Sequence, residues 1–288
     1  MAEVDVDSGG IIRVMPEVLA NKIAAGEVVQ RPSSVVKELT ENALDAGASS
    51  INVVTKAAGK ELIQVVDDGS GMSERDAVMS FQRHATSKIK SIDDLERIRT
   101  LGFRGEALAS IGAVSRVELR TKRREAQAGT EVRVAGGTLE GTGPCSVNDG
   151  TSVAVRNLFY NVPARRNFLK SAATELRHIV DTVRFLALAN PAVSFRLIHD
   201  GGELLHAAAT DDPDAIRVRI GQIFGEPVVD NLVVVDETTS YLTISGFVGT
   251  PENHRRSGTD QYLFVNGRIV RSRYLGHAVR SAYGNMLP

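Results

Sequence analysis

Residues 35–47 read Val35-Val36-Lys37-Glu38-Leu39-Thr40-Glu41-Asn42-Ala43-Leu44-Asp45-Ala46-Gly47, and this stretch decides the fold because it predicts a helix with two unlike faces. Leu39, Ala43 and Ala46 recur at helical spacing and form an apolar side. Gly47 is suited to end the helix, since glycine readily adopts the left-handed conformation common after a helix C-terminus. The apolar side predicts a helix packed against a core.

The opposite side of this helix carries three carboxylates and an amide, here called the acidic stripe: Glu38, Glu41, Asn42 and Asp45. Their spacing of i, i+3, i+4 and i+7 stacks them on one face, where like charges cost a few tenths of a kcal/mol per pair, roughly, on an exposed helix. A solvated acidic surface is one explanation, and the helix pattern alone favours it. The other is a site for a hydrated divalent cation, with one carboxylate polarising water.

Two further signals precede this helix. Residues 16–25 predict a short amphipathic helix, and Gly26 is the residue expected to stop it. Ser33 is the predicted N-cap of the acidic helix, because its side chain can accept a hydrogen bond from the first free backbone N–H groups.

Composition places the chain among ordinary globular proteins. Its 288 residues, 42% hydrophobic and 24% charged, are enough for two domains. The net charge is only −1, but residues 251–288 hold six arginines against two acidic residues, a local charge of +4. Such a basic segment indicates a possible nucleic-acid face. Its arginines are Arg255, Arg256, Arg268, Arg271, Arg273 and Arg280.

Cysteine content and hydropathy bear on location. Cys145 is the single cysteine, which excludes an internal disulfide and is consistent with a reducing compartment. It follows a run rich in glycine and proline, so a loop is expected there. No apolar run approaches the roughly 20 residues of a membrane span, and the N-terminus does not resemble a signal peptide. We therefore expect a cytoplasmic protein that does not contact a membrane.

A second polar motif follows two predicted strands, residues 51–55 and 62–66. The second strand runs directly into Asp67-Asp68-Gly69-Ser70-Gly71. A carboxylate at a strand end beside two glycines can meet a ligand where the backbone approaches closely. An ordinary Asp/Gly turn explains the pattern as well, and is the commoner structure when the motif is considered alone.

A long polar segment, residues 82–105, has the character of a mobile lid because it is punctuated by glycine and lacks apolar periodicity. Gly102 and Gly105 then precede an alanine-rich helix at residues 107–113. Free backbone N–H groups at such a helix start suit a phosphate, although a simple helix-initiating turn is the alternative.

The remaining chain alternates strands and helices up to a polar linker at residues 209–213. Beyond the linker we expect a helix, several strands, and a hairpin at Asn266-Gly267. A last helix, residues 273–283, carries Arg273, His277 and Arg280 on one face. That face predicts contact with DNA phosphates, or else a solvated surface.

Several common sites are excluded by their missing motifs. The chain contains no Gly-x-x-x-x-Gly-Lys-[Ser/Thr] phosphate loop and no Gly-x-Ser-x-Gly elbow. The glycines after Asp67 lack the third glycine of a dinucleotide fingerprint. The six histidines show no metal-ligand spacing.

Together these motifs resemble the ATP-binding superfamily shared by DNA gyrase, the ninety-kilodalton heat-shock chaperones, histidine kinases and MutL. The acidic helix matches its Glu-x-x-x-Asn box through Glu38 and Asn42. The strand end matches its Asp-x-Gly-x-Gly motif through Asp67, Gly69 and Gly71. Two later matches are the glycines at 102–105 and Gly150-Thr151.

Within that superfamily the chain is similar to the MutL family. The similarity rests on four motifs that lie in the same order along the chain: Ile23-Ala24-Ala25-Gly26-Glu27-Val28-Val29, Arg83-His84-Ala85-Thr86-Ser87-Lys88, Gly102-Phe103-Arg104-Gly105-Glu106-Ala107-Leu108-Ala109-Ser110-Ile111 and Leu158-Phe159-Tyr160-Asn161-Val162-Pro163-Ala164-Arg165-Arg166. The chain ends before the His-Pro-x-Lys segment of that family. We therefore expect an N-terminal ATPase portion of a longer protein.

The resemblance implies an α+β fold. Residues 1–209 should form a two-layer α/β sandwich of the GHKL (Bergerat) type, a mixed sheet layered with helices. Residues 213–288 should form a module like the second domain of ribosomal protein S5, incomplete at its C-terminus.

The resemblance also implies a site for ATP and Mg²⁺. Glu38 would orient and deprotonate the attacking water, Asn42 would coordinate Mg²⁺, and Asp67 would accept a hydrogen bond from the adenine amino group. The other nucleotide-binding residues would be Gly69, Gly71, Thr86, Lys88, Gly102, Phe103, Arg104, Gly105, Leu108 and Thr151.

In function, the resemblance implies a DNA mismatch repair factor that forms a homodimeric clamp when it binds ATP. DNA would be bound without sequence preference, and the partners would be a mismatch-recognition factor and a helicase or nuclease. One alternative is a nucleotide-dependent scaffold in which hydrolysis is secondary. Another GHKL protein, a topoisomerase subunit or chaperone, is the other.

Overall fold

The computed structural model describes residues 15, 23, 25–88, 100–102, 105–253 and 261–286. Residues 50–207 build a mixed sheet of eight strands. In chain order the strands are β1 (Ser50–Lys56), β2 (Leu62–Asp67), β3 (Arg116–Lys122), β4 (Gly129–Ala135), β5 (Thr138–Cys145), β6 (Gly150–Arg156), β7 (Ser194–His199) and β8 (Gly202–Ala207). Across the sheet they follow the order β5-β4-β3-β6-β2-β1-β7-β8, in which β1 and β7 are parallel and the other neighbours antiparallel. The predicted mixed sheet is confirmed.

Helices form a second layer on this sheet. They are α1 (Pro32–Asp45), α2 (Glu74–Met79), α3 (Ala107–Ala113), α4 (Pro163–Phe168) and α5 (Ala172–Ala189). The acidic helix is α1, and it packs against β2 and α5. Its apolar side is buried at Leu39 and Ala43, as predicted, and joins a core that includes Ile51, Ile179 and Phe195. This packing fixes the direction in which the acidic stripe faces.

The ends of α1 agree with the sequence at one terminus only. Gly47 has φ +71°, the left-handed conformation predicted for the residue that ends the helix. The prediction that Ser33 is the N-cap is wrong, because the helix begins at Pro32 and Ser33 is buried in its first turn. Proline is suited to that first position, since its missing N–H would lack a helical partner anyway.

The helix before α1 continues past its predicted stop. Residues 25–28 are helical, and the Val29 N–H donates to the Ala25 carbonyl oxygen at 2.8 Å. Gly26 therefore lies inside the helix, where the Arg165 guanidinium packs so closely that a Cβ atom at Gly26 would clash with it. Most of the predicted helix at residues 16–25 lies outside the described residues.

The expected loop at Cys145 is wrong. Cys145 is the last residue of β5, and it pairs with Gly129 of β4. The strand lacks the alternation of apolar and polar residues that predicts a strand, and it contains Pro144. Because β5 is the outermost strand of the sheet, a proline can be accommodated without breaking an internal ladder.

A smaller unit follows the sheet. It contains α6 (Ala215–Phe224), α7 (Glu226–Val229), β9 (Leu232–Thr238), β10 (Thr243–Gly249), β11 (Phe264–Val265), β12 (Arg268–Ile269) and α8 (Arg273–Ala282). The predicted hairpin is confirmed: Asn266 and Gly267 join β11 to β12 with φ of +50° and +75°. Positive φ at both turn residues is the geometry that an Asn-Gly pair favours.

Arg219 of α6 joins this unit to the sheet. The side chain is fully buried, which lowers the pKa of Arg219. Its guanidinium donates to the carbonyl oxygens of Ala187 (3.2 Å), Pro191 (2.7 Å), Val193 (2.8 Å) and Ala208 (3.0 Å). These carbonyls lie at the end of α5, before β7 and after β8. The division of the chain at residues 209–213 stays a prediction. None of the helices in the described ranges is long and apolar enough to span a membrane.

Candidate functional site

A cavity of about 1210 Å³ opens between α1, the end of β2 and the segments at 83–88, 101–102 and 105–108. Most of the predicted site residues line it: Glu38, Asn42, Asp67, Gly71, Thr86, Lys88, Gly102, Gly105, Leu108 and Thr151. Gly69 is outside the lining. Phe103 and Arg104 lie outside the described residues. The motifs, far apart in sequence, therefore meet around a single space.

The acidic stripe faces this cavity and is partly neutralised by a lysine of its own helix. The Lys37 ammonium lies 2.7 Å from the Glu41 carboxylate and 3.5 Å from that of Glu38. Burial raises the pKa of Glu41, and the bond from Lys37 opposes that rise. Glu38 keeps 26% of its side chain exposed. The stripe therefore lines a concave site and does not simply face open solvent.

The C-terminal end of the stripe binds a cationic side chain from across the cavity. Lys88 Nζ lies 3.0 Å from Asn42 Oδ1 and 2.6 Å from Asp45 Oδ2. The Asp45 carboxylate also accepts hydrogen bonds from the backbone N–H groups of Leu101 (2.9 Å) and Gly102 (3.1 Å). Sequence reasoning put Asp45 on the stripe but gave it no role, because its partners are 43 to 57 residues away.

Asp67 ends β2 beneath the cavity. Register pairs Asp67 with Thr151 on β6, and Asp67 Oδ1 accepts from the Gly69 N–H at 2.9 Å. Burial raises the pKa of Asp67 to about 6, against the opposing effect of hydrogen bonds from the Gly69 and Thr151 backbones. Thr121 Oγ1 lies 3.0 Å from Thr151 Oγ1 and accepts from the Met72 N–H at 2.9 Å. Thr121 was not among the predicted site residues, because its surroundings in the sequence show only the ordinary alternation of polar and apolar residues along a strand.

The motif glycines are required by the packing of the chain. Gly71 has φ +64°, and a Cβ atom there would lie 2.1 Å from the Lys122 carbonyl oxygen. Gly105 has φ +63°, and its Cβ atom would lie 2.5 Å from the Ala85 carbonyl oxygen. A side chain at either position would push apart two segments that line the cavity. These glycines thus bring the cavity-lining segments together.

The predicted lid is described only at its two ends. At the first, His84 Nδ1 and Arg83 Nη2 lie 3.3 and 3.4 Å from Glu106 Oε1, which links this end to the start of α3. At the other, the Thr100 carbonyl oxygen accepts from Arg268 Nη2 of β12 at 3.0 Å. Residues 89–99 lie outside the described residues.

The predicted DNA-binding arginines fall into two groups. Arg268 binds the Thr100 carbonyl, and the Arg271 guanidinium lies 5.2 Å from the centre of the Phe185 ring. Arg273 and Arg280 are exposed on α8, one above the other, as their spacing predicts. Arg255 and Arg256 lie outside the described residues. Arg268 and Arg271 are exposed as well, so among the described arginines the two groups differ in the contacts given above and not in exposure.

Two family models match this chain. Residues 30–135, which carry the acidic stripe and most of the cavity, match the model described as "Histidine kinase-, DNA gyrase B-, and HSP90-like ATPase". Residues 220–288 match "DNA mismatch repair protein, C-terminal domain". The mixed sheet, the acidic helix and the cavity thus define a GHKL-type ATPase domain.

Individual relatives narrow this class to one family. MutL of Christiangramia forsetii is 53% identical over 277 residues, and MutL of Chlorobaculum tepidum is 50% identical over 273 residues. These alignments cover 96% and 95% of this chain but 44% and 43% of the relatives. The solved Aquifex aeolicus MutL ATPase domain complexed with ADP is 30% identical with a TM-score of 0.67, and the match covers 88% of both chains.

The chain belongs to the MutL family of DNA mismatch repair proteins, and the predicted family and fold class are confirmed. It spans less than half the length of the curated relatives that it matches. The alternative of a topoisomerase subunit or a chaperone is thereby set aside.

Proposed function

We propose that this chain binds ATP with Mg²⁺ and hydrolyses it in DNA mismatch repair, and that nucleotide binding gates its dimerisation into a clamp on DNA. The observation that carries the proposal is the convergence of Glu38, Asn42 and Asp67 on one cavity. Support comes from the Aquifex aeolicus relative, whose ATPase domain is complexed with ADP.

Asp67 is the adenine-recognising residue in this proposal. The half-buried carboxylate accepts a hydrogen bond from the amino group of adenine, next to the hydroxyl pair of Thr121 and Thr151. Guanine has a carbonyl oxygen where adenine has its amino group. Guanine would therefore place an acceptor where the carboxylate needs a donor from the base, and such mispairing of a polar group away from water discriminates strongly between ligands.

Glu38 is the general base. It lies one helical turn before Asn42 on the same face of α1, and it lines the same cavity as Asp67. Its role is to orient the attacking water and to take its proton, and this requires hydrogen-bond contact with that water. Because α1 is held by the core, Glu38 is positioned before nucleotide enters.

The residues around Asn42 fit a magnesium ion. The Lys88 ammonium already lies against the Asn42 amide oxygen and the Asp45 carboxylate, so these oxygens attract a cation. Magnesium prefers oxygen ligands, takes few from protein and keeps several waters. Asn42 would hold the ion, which when bound neutralises phosphate charge.

Phosphates are held by donors from the opposite side of the cavity. Thr86 and Lys88 supply a hydroxyl and an ammonium, and Gly102, Gly105 and Leu108 supply backbone N–H groups. Phe103 and Arg104 complete this set in the proposal. Gly69 and Gly71 shape the turn after Asp67.

DNA and protein partners belong to the whole protein. Arg273 and Arg280, exposed on α8, would contact DNA phosphates without reading sequence, with Arg255 and Arg256 as further candidates. A mismatch-recognition factor and a helicase or nuclease would act with the ATP-bound dimer, in the cytoplasm at the nucleoid. A scaffold in which hydrolysis only resets the dimer uses the same nucleotide site.

The experiment that tests the proposal is calorimetric titration with non-hydrolysable ATP and GTP analogues in the presence of Mg²⁺. The parent should bind the ATP analogue and discriminate against the GTP analogue. Asp67→Asn should lose most of that discrimination, while Asp211→Asn, an exposed residue outside the cavity lining, should keep it. Absence of ATP-analogue binding by the parent, or discrimination unchanged in Asp67→Asn, would contradict the proposal.

A further inference from the structure

The proposed mechanism gives no role to two stripe residues, Glu41 and Asp45, and of these Asp45 accepts more hydrogen bonds. It is the last residue of α1, and 7% of its side chain is exposed. Its Oδ1 atom accepts from the Leu101 N–H at 2.9 Å. Its Oδ2 atom accepts from the Gly102 N–H at 3.1 Å and from Lys88 Nζ at 2.6 Å.

This set of donors has the chemistry of an anion site. Two successive backbone N–H groups and an ammonium surround the two oxygens of one anion, an arrangement that also suits the oxygens of a phosphate group. Lys88 and Gly102 are among the donors assigned above to the phosphates. A donor bonded to Asp45 is not available to a nucleotide.

We infer that Asp45 is an internal substitute for a nucleotide phosphate, which holds Lys88 and the segment at 100–102 until a phosphate displaces it. This inference rests on the proposed function, because it names the regulation of the same site. When a phosphate replaces Asp45, the segment at 100–102 moves and the helix does not, because α1 is packed in the core through Leu39 and Ala43.

A second contact holds the same segment from the other side. Arg268 Nη2 donates to the Thr100 carbonyl oxygen at 3.0 Å, so residues 100–102 lie between α1 and the hairpin of the smaller unit. Loss of the Asp45 bonds therefore frees the Leu101 and Gly102 amides without detaching the segment entirely. The carboxylate acts as a competitor, and its negative charge also opposes the approach of a phosphate.

Substitution Asp45→Asn separates this role from a structural one. Asparagine keeps the size of the side chain but has no charge. Its NH₂ group is a hydrogen-bond donor, and it would face the donors that aspartate binds: the two backbone N–H groups and the Lys88 ammonium. Without nucleotide, hydrogen exchange at Leu101 and Gly102 should become faster. Affinity for a non-hydrolysable ATP analogue should rise by about tenfold, the effect of losing one charge-assisted hydrogen bond from the competing state.

Glu41→Gln is the matched control, since it removes another stripe charge that is bound by Lys37 and not by the 100–102 segment. Hydrogen exchange at Leu101 and Gly102 in the Glu41→Gln variant should equal that in the parent. A second measurement needs no substitution. In the parent, the carbon resonance of the Asp45 carboxylate should shift when the ATP analogue is added, because its donors leave.

The outcomes separate the two proposals. If the parent binds no analogue, the proposed function fails and the role of Asp45 fails with it. If the parent binds but Asp45→Asn binds more weakly, Asp45 holds the segment in the bound state and the inference is overturned. Unchanged exchange at Leu101 and Gly102, or an Asp45 resonance indifferent to the analogue, would overturn it as well.

Discussion

The two sides of the cavity are built in different ways. The packed side, α1 with the end of β2, is fixed by buried residues such as Leu39 and by the strand register that aligns Asp67 with Thr151. The polar side, residues 83–88, 100–102 and 105–108, is held by ion pairs and hydrogen bonds to Asp45 and Glu106. Packing gives one fixed arrangement, whereas polar bonds in a wet cavity can exchange partners. The packed side is therefore suited to hold the general base and the adenine-binding carboxylate in fixed positions. The polar side is suited to rearrange when a nucleotide binds.

The largest expected effect is on the packed side, at Glu38. In the full-length protein, Glu38→Ala should lower the rate of ATP hydrolysis by at least about a hundredfold, the usual minimum for loss of a general base. Binding of an ATP analogue should stay within roughly threefold, because Glu38 contacts the water and not the nucleotide. Glu61, an exposed residue that immediately precedes β2 and lies outside the cavity lining, serves as the control when changed to alanine. Hydrolysis by Glu38→Ala at the parent rate would show that the base lies elsewhere.

The next largest effect is expected at Asn42 of the packed side, whose amide oxygen contacts the Lys88 ammonium of the polar side. Asn42→Ala should weaken ATP-analogue binding by roughly tenfold to a hundredfold with Mg²⁺ present, because an oxygen ligand is removed. With the metal chelated, the parent and the variant should bind nearly alike. Titrations with and without chelator measure both. Equal losses of affinity under the two conditions would mean that Asn42 contacts the nucleotide directly and does not hold the metal.

A pH effect follows from burial on the packed side. The folded-state pKa of Asp67 is raised to about 6 from 3.8, so the proton is bound more tightly in the folded protein. The associated stability is fully present below pH 3.8 and is lost as the pH rises through 6. Asp67→Asn removes this dependence. The difference in free energy of unfolding, variant minus parent, should therefore rise by roughly 2 kcal/mol between pH 4 and pH 7.

Urea denaturation at several pH values gives this difference directly. Glu41, whose pKa is also raised by burial, titrates in both proteins, so its contribution cancels in the comparison. A difference that is flat from pH 4 to pH 7 would refute the assignment of a raised pKa to Asp67.

The smallest expected effect is on DNA binding, and it concerns residues of α8, outside the cavity. If Arg273 and Arg280 bind DNA phosphates, changing both to glutamate should weaken DNA binding and reduce its salt dependence, the slope falling by roughly one for each phosphate that is no longer bound. Arg268→Glu is an informative comparison, since Arg268 is bonded to Thr100. Affinity should be measured against salt with an ATP analogue present. Parent-like slopes in the double variant would mean that this face is merely solvated.

Sequence patterns predicted the features that local chemistry determines. The apolar spacing of Leu39 and Ala43 predicted the buried face of α1, and Asn266-Gly267 predicted its hairpin because few other pairs accept positive φ twice. The errors at Ser33 and Gly26 concern helix ends, where a proline or a close-packed arginine outweighs the usual preference. The edge strand ending at Cys145 is held by pairing with β4 and not by its own composition.

The contacts of the candidate site depend on the tertiary structure. Family motifs identified Glu38, Asn42 and Asp67, and the structure brings all three to one cavity. No local pattern could show that Asp45 would meet Lys88 and Leu101, because their meeting depends on how the polar side folds over α1. Thr121 was missed for the same reason, since only the order of strands brings it beside Thr151.

The central claim is that one nucleotide spans both sides of this cavity. An experimental structure with a non-hydrolysable ATP analogue and Mg²⁺ tests it most directly. We predict the adenine amino group at Asp67, the ion at Asn42, Glu38 facing the terminal phosphate, and Lys88 and the Gly102 N–H transferred from Asp45 to phosphate oxygens. Adenine bound away from Asp67, or a nucleotide outside the cavity, would contradict the account.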